Sequence, residues 1–246
     1  MWFTLKDSSR PVFAVVVVFC ASFQAYADSH GNVGALISFA TNYFYRGYSK
    51  SDNGPVLRAN IDYEHQSGLY VGSWVSWIDF DDHGTNDRSD VEFYPYVGLV
   101  YKLADDLRID GTVSRYIFNG KVFGQDADYN EYSFAIRYSD FLSASFAWAD
   151  DAYHRGKNSI NYEVSGRYPV TASVEASVGI GHNEALHLLE HNTLYWNAGF
   201  TWYFHRFGAV DLRYVDFVQT ATSDHPSDLQ LPYADPRFVF SISAGF

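Results

Sequence analysis

Charged side chains recur at every second position along several stretches of the sequence. Residues 57–64 read Leu-Arg-Ala-Asn-Ile-Asp-Tyr-Glu, and such alternation puts polar and apolar side chains on opposite faces of a strand. A face that carries several charges cannot line a dry core, but it can line a water-filled lumen. The candidate lumen-lining residues are Arg58, Asp62, Glu64, Arg108, Asp110, Glu131, Arg137, Glu163, Arg167, Glu175, Asp211, Arg213 and Arg237.

Such a lumen supports two alternative functions. Mixed charges set a transverse field across a narrow pore and tune its ion selectivity, and the near balance of signs predicts weak selectivity from the wall alone. Alternatively, the same charges pair with one another and fill the lumen as a salt-bridged plug. The sequence leaves both interpretations open, although it favours a small channel.

A second candidate site is the histidine-containing stretch 181–192. His187 and His191 lie four residues apart, so on a short helix they could share one face and bind a metal ion, with His182 or Glu190 as a third ligand. The order of residues is not H-E-x-x-H, so no zincin-type hydrolase is indicated. The alternative is a short amphipathic loop helix that packs on the rim. We therefore expect no cofactor and keep these histidines only as weak metal candidates.

No enzymatic motif is present. The sequence contains neither G-x-S-x-G nor a Gly-rich phosphate loop. No predicted strand places Ser and His together on its outer face, as in outer-membrane lipase barrels. We expect no catalytic residue. The formal net charge of −12 argues against nucleic acid as a partner.

Twelve alternating segments of about 10–13 residues predict the fold, since bacterial barrels have an even number of strands of about this length. The first segment, Val33–Tyr45, places Tyr43 and Tyr45 on its apolar face, and the last, Arg237–Phe246, closes the barrel against it. Pro95 predicts a bulge in the fourth segment. We expect an all-β, single, 12-stranded antiparallel transmembrane β-barrel of the outer-membrane type.

Short turns and longer polar loops alternate between these segments, which is the expected polarity of periplasmic turns and external loops. Aromatic residues make up 19% of the chain, as suits a barrel with aromatic girdles. A soluble lipocalin-like or sandwich fold is the alternative, but a soluble barrel of twelve strands would be too wide to fill with side chains.

The N-terminus predicts a secretory signal peptide over residues 1–27, followed by the barrel over residues 28–246. Lys6 and Arg10 precede an apolar run at 11–21, and Ala25-Tyr26-Ala27 is an A-x-A cleavage site. A membrane-anchoring helix is the alternative, but the run is short of the ~20 residues that span a bilayer. Cleavage would remove the single cysteine, Cys20.

The predicted location is the outer membrane of a Gram-negative bacterium, reached by export through the periplasm. From barrel families in general, we expect Phe246 to act as an assembly signal. The expected partners are outer-membrane lipid and lipopolysaccharide, the barrel-assembly machinery and small solutes.

Two neighbouring stretches also resemble a known family. Residues 41–49, Thr-Asn-Tyr-Phe-Tyr-Arg-Gly-Tyr-Ser, with Asn53-Gly-Pro55, are similar to the opening of the TorF-type putative porin family of proteobacteria. Residues 61–74, Ile-Asp-Tyr-Glu-His-Gln-Ser-Gly-Leu-Tyr-Val-Gly-Ser-Trp, continue the similarity. The resemblance is tight over about residues 33–80. It implies an outer-membrane channel, with no substrate and no catalytic residues to transfer.

Overall fold

The computed structural model describes residues 31–80, 88–204, 207–222 and 235–245. Within these ranges the chain is built from strands, with a single helical turn, α1 (Leu186–Leu189), and a 3₁₀ turn at Ala152–His154. The strands are β1 (Gly31–Ala40), β2 (Phe44–Tyr45), β3 (Tyr48–Ser49), β4 (Val56–His65), β5 (Leu69–Trp77), β6 (Val91–Ala104), β7 (Leu107–Phe118), β8 (Tyr129–Tyr138), β9 (Leu142–Ala149), β10 (Ser159–Pro169), β11 (Val174–Glu184), β12 (His191–Phe204), β13 (Gly208–Thr222) and β14 (Arg237–Gly245).

Twelve of the described strands form one closed barrel. Strands β4 to β14 are antiparallel neighbours in chain order, and β1 lies between β4 and β14. The closing pair runs from Leu36 opposite Gly245 to Ala40 opposite Ser241. The predicted 12-stranded antiparallel barrel is therefore confirmed, including its closure by the last segment. Phe246 and the predicted signal peptide lie outside the described residues.

The barrel wall is apolar outside and polar inside. Ile61 and Val178 point outward and are 57% and 55% exposed, whereas Asp110, on the inner face of β7, is 2% exposed. Large apolar side chains cover the outer face of most barrel strands, and a surface of this kind is suited to lipid rather than water. Within the described ranges, no helix has both the length and the apolar character needed to cross a membrane.

The connections differ at the two ends of the barrel. At one end, turns of a few residues join β4 to β5, β6 to β7, β8 to β9 and β10 to β11. At the other end, longer segments such as 41–55 join the strands. Among the connections that the structure describes, this confirms the predicted alternation of short and long segments. We call these the short-turn end and the long-loop end.

Pro95 does not produce the predicted bulge. Strand β6 continues through it, and the same register to β7 holds on both sides, with Phe93 opposite Ile117 and Tyr96 opposite Ser114. Around Pro95 the pairing with β7 is interrupted only at residues 94 and 95, and proline has no N–H to donate there. The register shifts in the described barrel lie elsewhere, next to Lys102 in β6 and at Asn192 in β12.

The end of the predicted first segment is wrong. Strand β1 stops at Ala40, and residues 42–51 turn into the lumen at the long-loop end as a small hairpin of β2 and β3. Tyr43 and Tyr45, expected on the lipid-facing side, are 2% and 3% exposed inside the barrel. We call residues 42–51 the inward hairpin.

Candidate functional site

The inward hairpin extends into the lumen and reverses direction there in a tight turn. Arg46 and Gly47 both have positive φ, 52° and 94°, as in the turns that close two-residue hairpin loops. Gly47 lies against Thr193 of β12, and a Cβ atom on residue 47 would clash with the Thr193 side chain. The tip of the hairpin therefore needs glycine for both its conformation and its close approach to β12.

Two ion pairs attach the hairpin to the wall. Arg46 donates from Nη1 to Glu131 Oε2 at 2.7 Å and from Nη2 to Glu131 Oε1 at 2.9 Å. Lys50 Nζ pairs with Glu92 Oε2, and both side chains are fully buried. Tyr43 also donates from its hydroxyl to Glu92 Oε1 at 3.0 Å. Each hairpin cation thus meets a carboxylate of β6 or β8.

Burial lowers the pKa of the Lys50 ammonium, and the carboxylate of Glu92 opposes that shift. The Lys50 Nζ atom also lies 4.2 Å from the centre of the Tyr45 ring and 4.8 Å from that of Tyr116. A desolvated cation over an aromatic face gains about 2 kcal/mol. Glu92 and the surrounding rings therefore stabilise the charged form of Lys50 against the cost of burial.

Tyrosine rings fill the lumen beside the hairpin. Tyr116 stacks on Tyr94 with ring centres 5.0 Å apart and on Tyr129 with ring centres 4.6 Å apart. Tyr153, from the 3₁₀ turn, continues the series 5.0 Å from Tyr129, and its hydroxyl is hydrogen-bonded to that of Tyr48 at 3.0 Å. The lumen is consequently packed solid along the long-loop ends of β6, β7 and β8.

Arg58, a predicted lumen residue, packs against the hairpin. Its guanidinium carbon lies 4.3 Å from the centre of the Tyr43 ring and 4.5 Å from that of Trp74, and its Nε donates to Ser76 Oγ at 3.0 Å. The buried charge is stabilised by the faces of these two aromatic rings.

Nearer the short-turn end, predicted lumen residues form two further pairs. Arg137 Nη2 lies 2.9 Å from Asp110 Oδ2, and Tyr70 donates to Asp110 Oδ1 at 2.7 Å. Arg213 donates to both carboxylate oxygens of Asp211, at 2.8 and 2.7 Å. The structure therefore brings charges of opposite sign together on the inner wall.

The other predicted lumen residues fall on inward positions of their strands but at different heights. At the short-turn rim, Arg167 donates from Nε to the carbonyl oxygen of Asp140 at 2.6 Å. At the long-loop rim, Arg237 donates from Nη1 to the carbonyl oxygen of Asn53 at 2.9 Å. Asp62 is buried, while three others are partly exposed, namely Glu64, Arg108 and Glu175. Their role in a pore stays a prediction.

A cavity remains on the side of the hairpin that faces β8, β9 and β10. Its empty volume is about 430 Å³, part of it open to solvent. The lining includes Arg46, Ser133, Ser145, Ala147, Asn161, Glu163 and Tyr195. The inward positions of β9 all carry Ser or Ala, and these small side chains leave space beside the hairpin. On the other side of the hairpin, tyrosine rings fill the corresponding space.

The predicted histidine face does not form. The helix α1 is a single turn at Leu186–Leu189, Glu190 has a left-handed φ of 67°, and His191 already belongs to β12. His182 is bonded at Nε2 to Thr220 Oγ1 at 3.1 Å. Across the described ranges, no three His, Cys, Asp or Glu side chains are grouped so that they could hold a metal ion.

The sequence did not indicate three of the residues whose ion pairs hold the inward hairpin, namely Arg46, Lys50 and Glu92. The first two lie in a stretch assigned to a strand end and a loop, and the third lies at the start of a strand. Arg-Gly between two tyrosines is a turn signal that could have indicated the hairpin.

A closed barrel that is apolar outside and charged inside defines the porin-type fold of outer-membrane proteins. The chain belongs to the family described as "Bacterial protein of unknown function (Gcw_chp)", which residues 24–246 match. A comparison with curated proteins found no match.

Solved structures with the same fold are outer-membrane channels. The KdgM porin has a TM-score of 0.55 and 10% identity, over 87% of this chain and 98% of its own. An outer-membrane channel from Pseudomonas putida F1 has a TM-score of 0.52 and 12% identity, over 93% of this chain and 98% of its own. The NanC porin has a TM-score of 0.52 and 8% identity, over 87% and 98%. At these identities the likeness shows the fold alone.

Proposed function

We propose that this protein is a non-enzymatic, porin-like channel of the Gram-negative outer membrane. Small polar or charged solutes would diffuse passively through its lumen, which the inward hairpin narrows. The observation that carries this proposal is the cavity beside the hairpin, because it leaves space next to a polar, charged wall inside a closed barrel. The resemblance to TorF-type porins supports the same function.

The chemistry of the wall supports a broad class of solute. Another solved structure is described as the KdgM porin in complex with disordered oligogalacturonate. In the present chain, inner-wall charges of both signs are paired, as in Arg137 with Asp110. A wall of this kind suits hydrated polar solutes in general and does not indicate a particular one. Outer-membrane lipid, lipopolysaccharide and the barrel-assembly machinery are the partners that the proposal requires.

A specific observation favours a second candidate, a plugged barrel with a structural or surface-interaction role. The hairpin is held by the buried pair of Lys50 with Glu92 and by the two bonds of Arg46 to Glu131. Such contacts would fix the hairpin in place. If the space beside it did not continue through the barrel, the lumen would be closed to solutes.

Planar-bilayer recording of the purified, refolded protein separates the two candidates. Discrete conductance steps over a range of voltages are the result expected for the channel. Protein that shifts its gel migration on boiling, as a folded barrel does, but gives no conductance steps would contradict the channel and support the plug. Liposome swelling with sugars, amino acids and organic acids would then rank the solutes.

A further inference from the structure

The lumen is filled to different degrees on the two sides of the inward hairpin, and the less filled side is the candidate passage. Toward β6 and β7 the lumen is filled by stacked rings, including Tyr116, which is fully buried. Toward β9 the inward side chains are Ser143, Ser145, Ala147 and Ala149, and the cavity beside the hairpin lies there. The less crowded side of the hairpin is therefore the side that faces β9.

The two charged residues that line the cavity differ in their ion pairing. Arg46, the cation that lines the cavity, is bound through both of its terminal nitrogens to Glu131. Glu163 lines the same cavity and is 5% exposed, but the described residues include no cation in an ion pair with it. Its Oε2 accepts a hydrogen bond from the Tyr195 hydroxyl at 2.8 Å, and its Oε1 accepts none from the described residues. Arg213, on β13, is engaged by Asp211.

We propose that solutes pass the hairpin along the β8–β10 wall and that Glu163 makes this passage select small cations, either inorganic ions or amine-bearing solutes. The inference rests on the proposed channel function and names the solute class that it would prefer. Within the described residues the Glu163 carboxylate makes no ion pair, although Arg46 and Arg213 act on it electrostatically from a greater distance. It can therefore attract a further positive charge, and nearby amide and hydroxyl oxygens from Asn161, Ser133 and Ser145 can replace water around that cation.

The route is tested by cysteine modification in a chain that lacks residues 1–27, because Cys20 is the only native cysteine. A cationic methanethiosulfonate reagent should react with Ser145→Cys and lower its conductance. The matched control, Ser114→Cys, is an inward position on the filled side, where the serine is 7% exposed, and it should react much more slowly. Equal reaction at both positions, or modification of Ser145→Cys without any fall in conductance, would overturn the route.

The selectivity is tested by the reversal potential in a KCl gradient. A single charge about 5 Å from a passing ion in water enriches the opposite sign about fourfold and depletes the same sign about fourfold, so a cation-to-anion ratio of about 16 is the upper value expected of the wild type. Glu163→Gln should bring the ratio close to one, whereas Glu175→Gln, a lumen carboxylate outside the cavity, should keep it.

A conducting wild type whose ion preference is the same in Glu163→Gln would overturn this inference alone. A folded wild type that does not conduct would overturn the proposed function and the inference together. The two failures are thus distinguishable.

Discussion

Arg46 at the tip of the inward hairpin and Glu131 in β8 form a two-bond ion pair across 85 residues of sequence, with N–O distances of 2.7 and 2.9 Å. A bidentate guanidinium–carboxylate pair fixes direction as well as distance. The pair therefore sets how far the hairpin extends into the lumen and how wide the cavity beside it is.

Replacing Arg46 should release the tip of the hairpin. Arg46→Ala leaves the Glu131 carboxylate, 2% exposed, without its cation, so we expect destabilisation of about 2–5 kcal/mol and larger, noisier conductance steps. Single-channel recording and urea unfolding in lipid vesicles measure the two effects. Arg115→Ala is the control, because Arg115 pairs with Asp128 at 3.6 Å with both side chains well exposed. Unchanged conductance in Arg46→Ala would show that the tip does not limit flow.

The buried pair of Lys50 and Glu92 should behave as a coupled unit. Lys50→Met leaves a buried carboxylate unpaired, and we expect a loss of about 3–5 kcal/mol in the free energy of unfolding. The double variant Lys50→Met with Glu92→Gln should lose much less than the sum of the single variants, since no charge is left alone. A double-mutant cycle from denaturant titrations gives the coupling. Additive losses would mean that the pair does not hold the hairpin.

Gly47 should not tolerate even a methyl group. Gly47→Ala faces both a positive φ and the Thr193 side chain, whereas Gly124→Ala faces a positive φ of 76° with open space around it. Both changes should cost about 1 kcal/mol for backbone strain, and only Gly47→Ala should cost more and alter conductance. Equal stabilities and equal conductances would place the hairpin tip away from β12.

The two faces of β10 should respond oppositely to charge. Val164 is outward and 48% exposed, so Val164→Arg would put a cation in lipid and should cost about 2–4 kcal/mol near the middle of the membrane. Ser165→Arg, one residue on and facing the lumen, should fold with a much smaller loss. Heat-modifiable gel migration and unfolding in vesicles compare the two variants. The reverse order of stability would indicate a soluble barrel with an apolar interior.

The barrel itself could be predicted from the sequence because period-two alternation is strong where one face meets lipid and the other meets water. Residues 57–64 and the closing stretch near Phe240 show this clearly, and both form strands with the expected faces. The same pattern failed at Tyr43 and Tyr45. Tyrosine suits a lipid interface as well as a packed lumen, so alternation of tyrosines does not distinguish outside from inside.

The lumen contacts could not be predicted for a different reason. Glu92 meets Lys50 across 42 residues, and Glu131 meets Arg46 across 85. Such partners depend on where the hairpin enters the closed barrel, which is a property of the whole ring of strands. The sequence could place Asp110 and Arg137 on inner faces, but not show that β7 and β8 bring them to 2.9 Å.

The most direct test of a channel narrowed from within compares the wild type with a variant in which residues 43–50 are replaced by a Gly-Ser linker of equal length. Both proteins would be refolded, checked by heat-modifiable migration and recorded in planar bilayers under identical salt. We expect small discrete steps from the wild type and clearly larger steps from the variant. A folded wild type without steps, or a variant with wild-type conductance, would contradict the account.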